Sequence, residues 1–220
     1  MLTIDTATEV CGVGLLLGNG SWFEYTRKAG LNHAGVVLET VHCILSDAGV
    51  EASQIDLVVC SQGPGSFTGL RIGMATAKGF AAGARRPLVS VPTLDALAFG
   101  LEWTSRPVLP VIDAKKNRVY TAVYKHGKRI RGPLDFDLHA ADTLVEELGE
   151  VVITGPGATL VADRCKNKEM IAVDTRVYAS NRAYAELGIR RFKHSGSDEI
   201  DAGPVYLRKS DAELALDNGA

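Results

Sequence analysis

Two apolar runs roughly a hundred residues apart end in the same aspartate turn, and that recurrence constrains the fold more than any other feature. Leu2–Ile4 leads into Asp5-Thr6-Ala7, and Val108–Ile112 leads into Asp113-Ala114. Each is succeeded by a second apolar run that stops at a turn: Cys11–Leu17 at Asn19-Gly20, and Val119–Tyr124 at His126-Gly127. Asn-Gly between apolar runs is a strong hairpin signal, because both residues tolerate positive φ. Farther on, Val58–Gly65 (V-V-C-S-Q-G-P-G) is echoed by Val151–Gly157 (V-V-I-T-G-P-G), one residue shorter. Features that recur in the same order predict a duplicated β-β-β-α-β unit. The expected architecture is an α/β chain of two similar lobes, 1–104 and 105–220, each a mixed β-sheet with helices packed on it, broken near Ser105–Pro107.

The segments between these landmarks fit that plan. Apolar positions from Ala34 to Ala48 recur at helical spacing, with Gly49 as a C-terminal stop. Ile55–Cys60 reads as a strand, Thr68–Ala84 as a helix, Leu88–Val91 as a strand, and Thr93–Trp103 as a helix capped by Thr93. A chain of 220 residues, 46% apolar, can bury a sizeable core. Its formal net charge of -2 sets up no overall field toward nucleic acid, so contact with RNA has to be local or made by a partner. Asp5 interrupts the first apolar run before a leader-like segment can form, and no run reaches membrane-spanning length. Cys11, Cys43, Cys60 and Cys165 lack C-x-x-C spacing, and three of them sit in apolar segments. They read as buried hydrophobes in a reducing compartment, which places the protein in the cytoplasm.

The densest motif is Ser61–Gly73, S-Q-G-P-G-S-F-T-G-L-R-I-G, which follows a strand as phosphate-binding loops do. It lacks the Gly-Lys-Ser/Thr ending of a P-loop, so no lysine reaches a terminal phosphate. An anion at the helix N-terminus is the minor reading. Gly65, Gly69, Gly73 and Ala77 fall four apart and line one helix face. Each interior glycine costs about 0.5–1 kcal/mol of helix stability relative to alanine. Two of them call for a reason, namely a backbone that approaches closely, from inside the molecule or from a partner. Pro64 sets the loop, and Ser66 or Thr68 caps the helix.

Five segments resemble, in this order, the bacterial TsaB family, also called YeaZ: M-L-T-I-D-T-A-T-E-V (1–10), G-P-G-S-F-T-G-L-R-I-G (63–73), V-P-T-L-D-A-L (91–97), I-D-A-K-K-N-R-V-Y (112–120) and P-V-Y-L-R (204–208). The likeness is close over the first half, returns at 112–120, and is thin from Phe136 to Ala202 apart from the glycine turn. It implies the actin-like ATPase fold, with ribonuclease H-like lobes whose Asp turns face each other across a cleft. It further implies a subunit that is not catalytic by itself, required for N6-threonylcarbamoyladenosine at position 37 of tRNA. Such a subunit binds and activates TsaD, which transfers the threonylcarbamoyl group from threonylcarbamoyl-AMP to tRNA, with the ATPase TsaE as third partner. On this resemblance the chain alone binds no cofactor, ATP or ADP enters only at the level of the complex, and tRNA is met only through the complex. The helices Asn32–Ala48 and Thr68–Ala82 are expected to pair with TsaD or with a second copy of the chain. The expected interface residues are His33, Val36, Thr40, Gly65, Gly69, Leu70, Gly73, Met74 and Ala77. Gly69→Leu or Gly73→Leu is expected to abolish TsaD binding while leaving the monomer folded.

Asp5, Thr6, Thr8, Asp113, Gly155 and Gly157 mark a vestigial nucleotide cleft. Each Asp either holds a metal-bridged phosphate or caps its own turn. Lys115 and Lys116 favour the cap at Asp113, while the hydroxyls of Thr6 and Thr8 keep both readings open at Asp5. TsaD carries a helical H-x-x-x-H metal pair. Here the residue four after His33 is Val37, and His42 falls on the opposite face at roughly 100° per residue, so no metal is expected. His33, His42, His126, His139 and His194 form no H-E-x-x-H, and no G-x-S-x-G elbow is present. The alternative readings are a stand-alone small-molecule kinase or phosphotransferase of the same fold, and a peptidase acting on TsaD.

Overall fold

The computed structural model describes residues 1–30 and 32–208, so the end of the second expected lobe, 209–220, lies outside the described residues. The first sheet consists of β1 (Leu2–Asp5), β2 (Val10–Leu16), β3 (Trp22–Lys28), β4 (Val58–Gly63) and β5 (Leu88–Pro92), in the order β3-β2-β1-β4-β5. The second consists of β6 (Val108–Asp113), β7 (Arg118–Lys125), β8 (Lys128–Asp137), β9 (Val151–Thr154) and β10 (Ile171–Val173), in the order β10-β9-β6-β7-β8. Matching β6–β10 to β1–β5 makes the two orders identical. The senses match as well, with the first three strands of each set antiparallel and the last two joining in parallel. Duplication therefore holds at the level of topology.

Helices α1 (His33–Ala48), α2 (Phe67–Ala84) and α3 (Thr93–Ala98) interrupt the first set of strands where α4 (Ala141–Leu148), α5 (Ala158–Arg164) and α6 (Asn181–Ser195) interrupt the second. The alternation of strand side chains sorts them into three cores. On β4, Val58 and Cys60 face a core with α1 and α2, while Leu57, just before the strand, and Val59 face one with α3 and α6. On β6, Val108 and Ile112 share that central core, while Leu109 and Val111 face α4 and α5. Both faces of the central strands are covered, so they read in sequence as unbroken apolar runs.

The third helices occupy the space between the two sheets. Helix α6 crosses to the first sheet and packs against β1, β2, β4 and β5, whereas α3 touches both sheets, β4 and β5 of its own and β6 and β7 of the other. Glycines make room for α6: a Cβ on Gly12 would stand 2.3 Å from Asn181 Nδ2, and one on Gly188 would stand 2.6 Å from Val59 Cγ2. This is the use of an interior strand glycine where another element comes close.

Some boundaries differ from the sequence-based expectation. Strand β4 starts at Val58 because Ile55 closes a 3-10 turn over Ala52–Gln54. Helix α3 stops at Ala98, well short of Trp103, since Phe99 is extended and Gly100 takes φ of +84°. Thr93 is its first residue rather than its cap, which is Pro92. The expected stop at Gly49 is present in the left-handed conformation, and the His126-Gly127 turn has both φ values positive, as a tight hairpin requires.

Candidate functional site

The Asp5 turn is the most enclosed polar feature of the molecule. Asp5 is 2% exposed, and its Oδ1 accepts a hydrogen bond from Ala7 N at 3.0 Å, so the carboxylate caps its own turn. Burial pushes its pKa up to about 6, against the stabilising pull of the Ala7 amide and the Ser61 and Tyr184 hydroxyls. The hydroxyl of Tyr184, a fully buried residue of α6, stands beside Asp5 but short of full hydrogen-bond geometry. Thr6 Oγ1 donates to Gly69 O at 2.8 Å, and Thr8 Oγ1 accepts from Val10 N at 3.3 Å. Both hydroxyls are thus used by the backbone around them.

The glycine face of α2 closes over this turn. A Cβ on Gly65 would lie 2.3 Å from Ala7 O, one on Gly69 2.2 Å from Thr6 O, and one on Gly73 2.0 Å from Thr6 Oγ1. Real Cβ contacts do not come so close, so glycine is required by the molecule's own packing. Ser66 caps the helix by accepting from Gly69 N at 3.2 Å. The same packing takes up most of the residues expected at a partner interface. His33, Thr40, Gly69, Leu70, Gly73, Met74 and Ala77 all face inward and are buried, leaving only Val36 and Gly65 half-exposed. The four-residue spacing does mark one face, but that face packs against β1, β4 and the Asp5 turn. Gly73→Leu therefore acts on folding first.

His33 is buried over the Thr8 backbone, with neither ring nitrogen in a well-formed hydrogen bond, and burial lowers its pKa. Among the described residues no three His, Cys, Asp or Glu side chains assemble as metal ligands.

The second lobe repeats the turn with a different environment. Asp113 is half-buried; its Oδ1 accepts from Lys115 N at 2.7 Å and its Oδ2 pairs with Lys115 Nζ at 2.8 Å. Gly155 and Gly157 pack against the end of β6 as Gly65 and Gly69 pack against the turn after β1: added Cβ atoms would meet Val111 O at 2.7 Å and Val111 Cγ1 at 2.8 Å. Each turn is thus packed closely by a glycine loop.

The outward sides of α1 and α2 combine exposed polar residues, among them Glu39, His42, Asp47 and Arg71, with a few apolar or small ones. Leu38 is 64% exposed, on the flank of α1 away from Glu39 and Cys43, which meet Arg27 of β3. On α2, Ala75, Gly79 and Gly83 are exposed, and nothing lies within 4 Å of a Cβ placed on either glycine. Beside them runs a strap that gives P-V-Y-L-R its role. Val205 N donates to Gln62 O at 2.8 Å, and the Tyr206 ring stacks on Phe67 with centroids 4.6 Å apart. Arg71, the lone basic residue of the glycine stretch, donates to Tyr206 Oη at 3.0 Å. Asp198 anchors the strap's start through Ser90 N at 2.8 Å. Sequence reasoning missed Asn181, Tyr184 and Asp198. The alternating glycines Gly12 and Gly14 on β2 were the available signal for the first two.

Comparison with known proteins agrees with this arrangement. The family model described as "TsaD: tRNA N6-adenosine threonylcarbamoyltransferase" matches residues 26–187. The tRNA threonylcarbamoyladenosine biosynthesis protein TsaB of Escherichia coli is 31% identical over 96% of this chain and 95% of its own length. The chain belongs to the TsaB family. TsaB of Bacillus subtilis is 30% identical over 97% of this chain and 96% of its own. A crystal structure from Pseudomonas aeruginosa, of an uncharacterized protein with similarity to peptidase YEAZ, superposes with a TM-score of 0.74 at 28% identity, covering 94% of this chain and 98% of that one. The two-sheet fold is the actin-like one of these TsaB-family neighbours. The activator of 2-hydroxyisocaproyl-CoA dehydratase from Clostridium difficile shares that fold at a TM-score of 0.51 and 11% identity. No helix among the described residues is long and apolar enough to cross a membrane.

Proposed function

We propose that this TsaB-family chain serves N6-threonylcarbamoyladenosine synthesis on tRNA as a non-catalytic subunit, with the chemistry done by TsaD. The observation that carries this reading is the sealed Asp5. A cleft carboxylate that is to hold a metal-bound phosphate has to be accessible, whereas this one is buried beside Tyr184 and spent on Ala7 N. Burial argues against both alternatives. A kinase needs the Asp5 and Asp113 turns free, and each caps itself. A thiol peptidase needs an acidic, reachable cysteine, yet burial pushes Cys60 up to about 12 and Cys11 up to about 11.

TsaD is engaged through the outward surface of the α1–α2 layer, centred on Leu38, Ala75, Gly79 and Gly83. A large exposed leucine beside a ridge without side chains suits a second helix pair laid closely against it. The match of this chain to the TsaD family model supports such a like-with-like pairing, since partner and chain then present corresponding helices. A second copy of the chain fits the same face in TsaD's absence; TsaE joins the assembled complex, in the cytoplasm. The lobes divide at 104/105, α6 excepted in its packing. The test is reconstitution. TsaD with this chain, threonylcarbamoyl-AMP and tRNA should yield modified adenosine by nucleoside mass spectrometry, and each protein alone should not. Transfer by TsaD without the chain, or tight Mg-ATP turnover by the chain alone, overturns the reading.

A further inference from the structure

The charge of the chain is unevenly placed. Residues 115–131, K-K-N-R-V-Y-T-A-V-Y-K-H-G-K-R-I-R, hold seven Lys or Arg and no Asp or Glu, although the whole chain has 24 basic residues and a net charge of -2. An even spread would put about two there. The structure folds this segment into β7, the His126-Gly127 turn and the start of β8, the outermost strand of the second sheet.

Carboxylates from neighbouring elements reach several of these cations. Arg118 pairs with Asp135, Arg129 with Asp95 and Arg131 with Glu147, while Glu102 lies against Gly127. The tip is different. Lys125 and Lys128 are directly opposite each other across the hairpin, both exposed, and neither makes an ion pair among the described residues. Like charges facing across a strand pair repel, so the fold retains an unfavourable pair that a bound anion relieves. Next to the tip, adjoining Glu102 in the chain, Trp103 is 80% exposed and has no role in the core.

We infer that this hairpin tip is an RNA-backbone contact, with Lys125 and Lys128 bridging phosphates and Trp103 offering its face to an unpaired base. The inference rests on the tRNA reading above and moves part of the RNA contact onto this chain, in place of contact made only by its partner. Lysines with an exposed aromatic suit a single-stranded or loop RNA, whereas protein interfaces are depleted in lysine.

The experiment measures binding of an unmodified tRNA transcript to the purified complex of this chain with TsaD, as a function of salt. Lys125→Glu/Lys128→Glu should weaken binding about tenfold at moderate salt and reduce the slope of log K against log salt by about 1.5, for two lost phosphate contacts. Trp103→Ala should weaken it several-fold with the slope unchanged. Light scattering on the same samples reports the heterodimer, which both variants should retain. Unchanged affinity and slope in the double variant overturn the inference while leaving the subunit reading intact. Loss of the heterodimer instead shows an acidic protein surface as the occupant and also overturns it. An unaltered complex that binds no tRNA overturns both.

Discussion

Asp5 and Asp113 close equivalent strands of a duplicated fold and make the same bond, each accepting from the amide two residues on, at 3.0 and 2.7 Å. Their surroundings diverge. Asp5 is buried beside Tyr184 of α6, with the α2 glycines closed on Thr6 and Ala7 after it, and Asp113 stands half-open with a lysine salt bridge. The shared bond shows what the aspartate does for the fold: it ends a strand and turns the chain. The difference lies in what covers each turn: Tyr184 of α6 and the α2 glycines around the first, Lys115 at the second.

The comparison breaks most sharply at the glycines. Gly73→Leu forces a side chain into Thr6 and should cost more than about 3 kcal/mol, so that little folded chain survives in a thermal melt. The outward Gly79→Ala, on the same helix, should instead stabilise it by about 0.5–1 kcal/mol. Next in size is the pH dependence of Asp5. Its carboxyl titrates at about 6 when folded against an ordinary 3.8, so between pH 4 and 6 the native state binds more protons than the unfolded state. Stability contributed by this group is therefore present below about pH 4 and lost as pH rises through 6, by about 3 kcal/mol. Urea titrations across that window should show the fall, and Asp5→Asn, which keeps the oxygen that Ala7 N needs, should flatten it. Gly157→Ala meets Val111 Cγ1 at 2.8 Å and the backbone of Asp113 and Ile112 at 3.1 and 3.2 Å, and should cost about 1–3 kcal/mol. Asp113→Asn, whose salt bridge to Lys115 is largely exposed, should change stability by less than about 1 kcal/mol.

Much of this was legible in the sequence. The repeated strand–Asp turn, the echoed glycine loop and the Asn-Gly and His-Gly hairpins pointed to two similar sheets, because each is a local signal tied to backbone geometry. The site was less legible. A four-residue glycine spacing says that a backbone comes close, without saying whose, and here it is Thr6 and Ala7 rather than a partner. Asn181 and Tyr184 lie some 175 residues from the strand they cover, and their helix carries charged residues on its outer side, so no local pattern announces where it packs. Leu38 fits the helical repeat of α1 as well as Val37 does, and only the observed rotation of the helix turns it outward.

The central claim is that the outward surface of α1 and α2, and not the glycine face, meets TsaD. Light scattering after size-exclusion chromatography of TsaD mixed with Leu38→Glu tests it most directly, because Leu38 is exposed and its replacement should leave the melting temperature of the chain nearly unchanged. The account predicts a heterodimer with the unaltered chain and two separate, folded proteins with the variant. A heterodimer of undiminished stability formed by Leu38→Glu would contradict it.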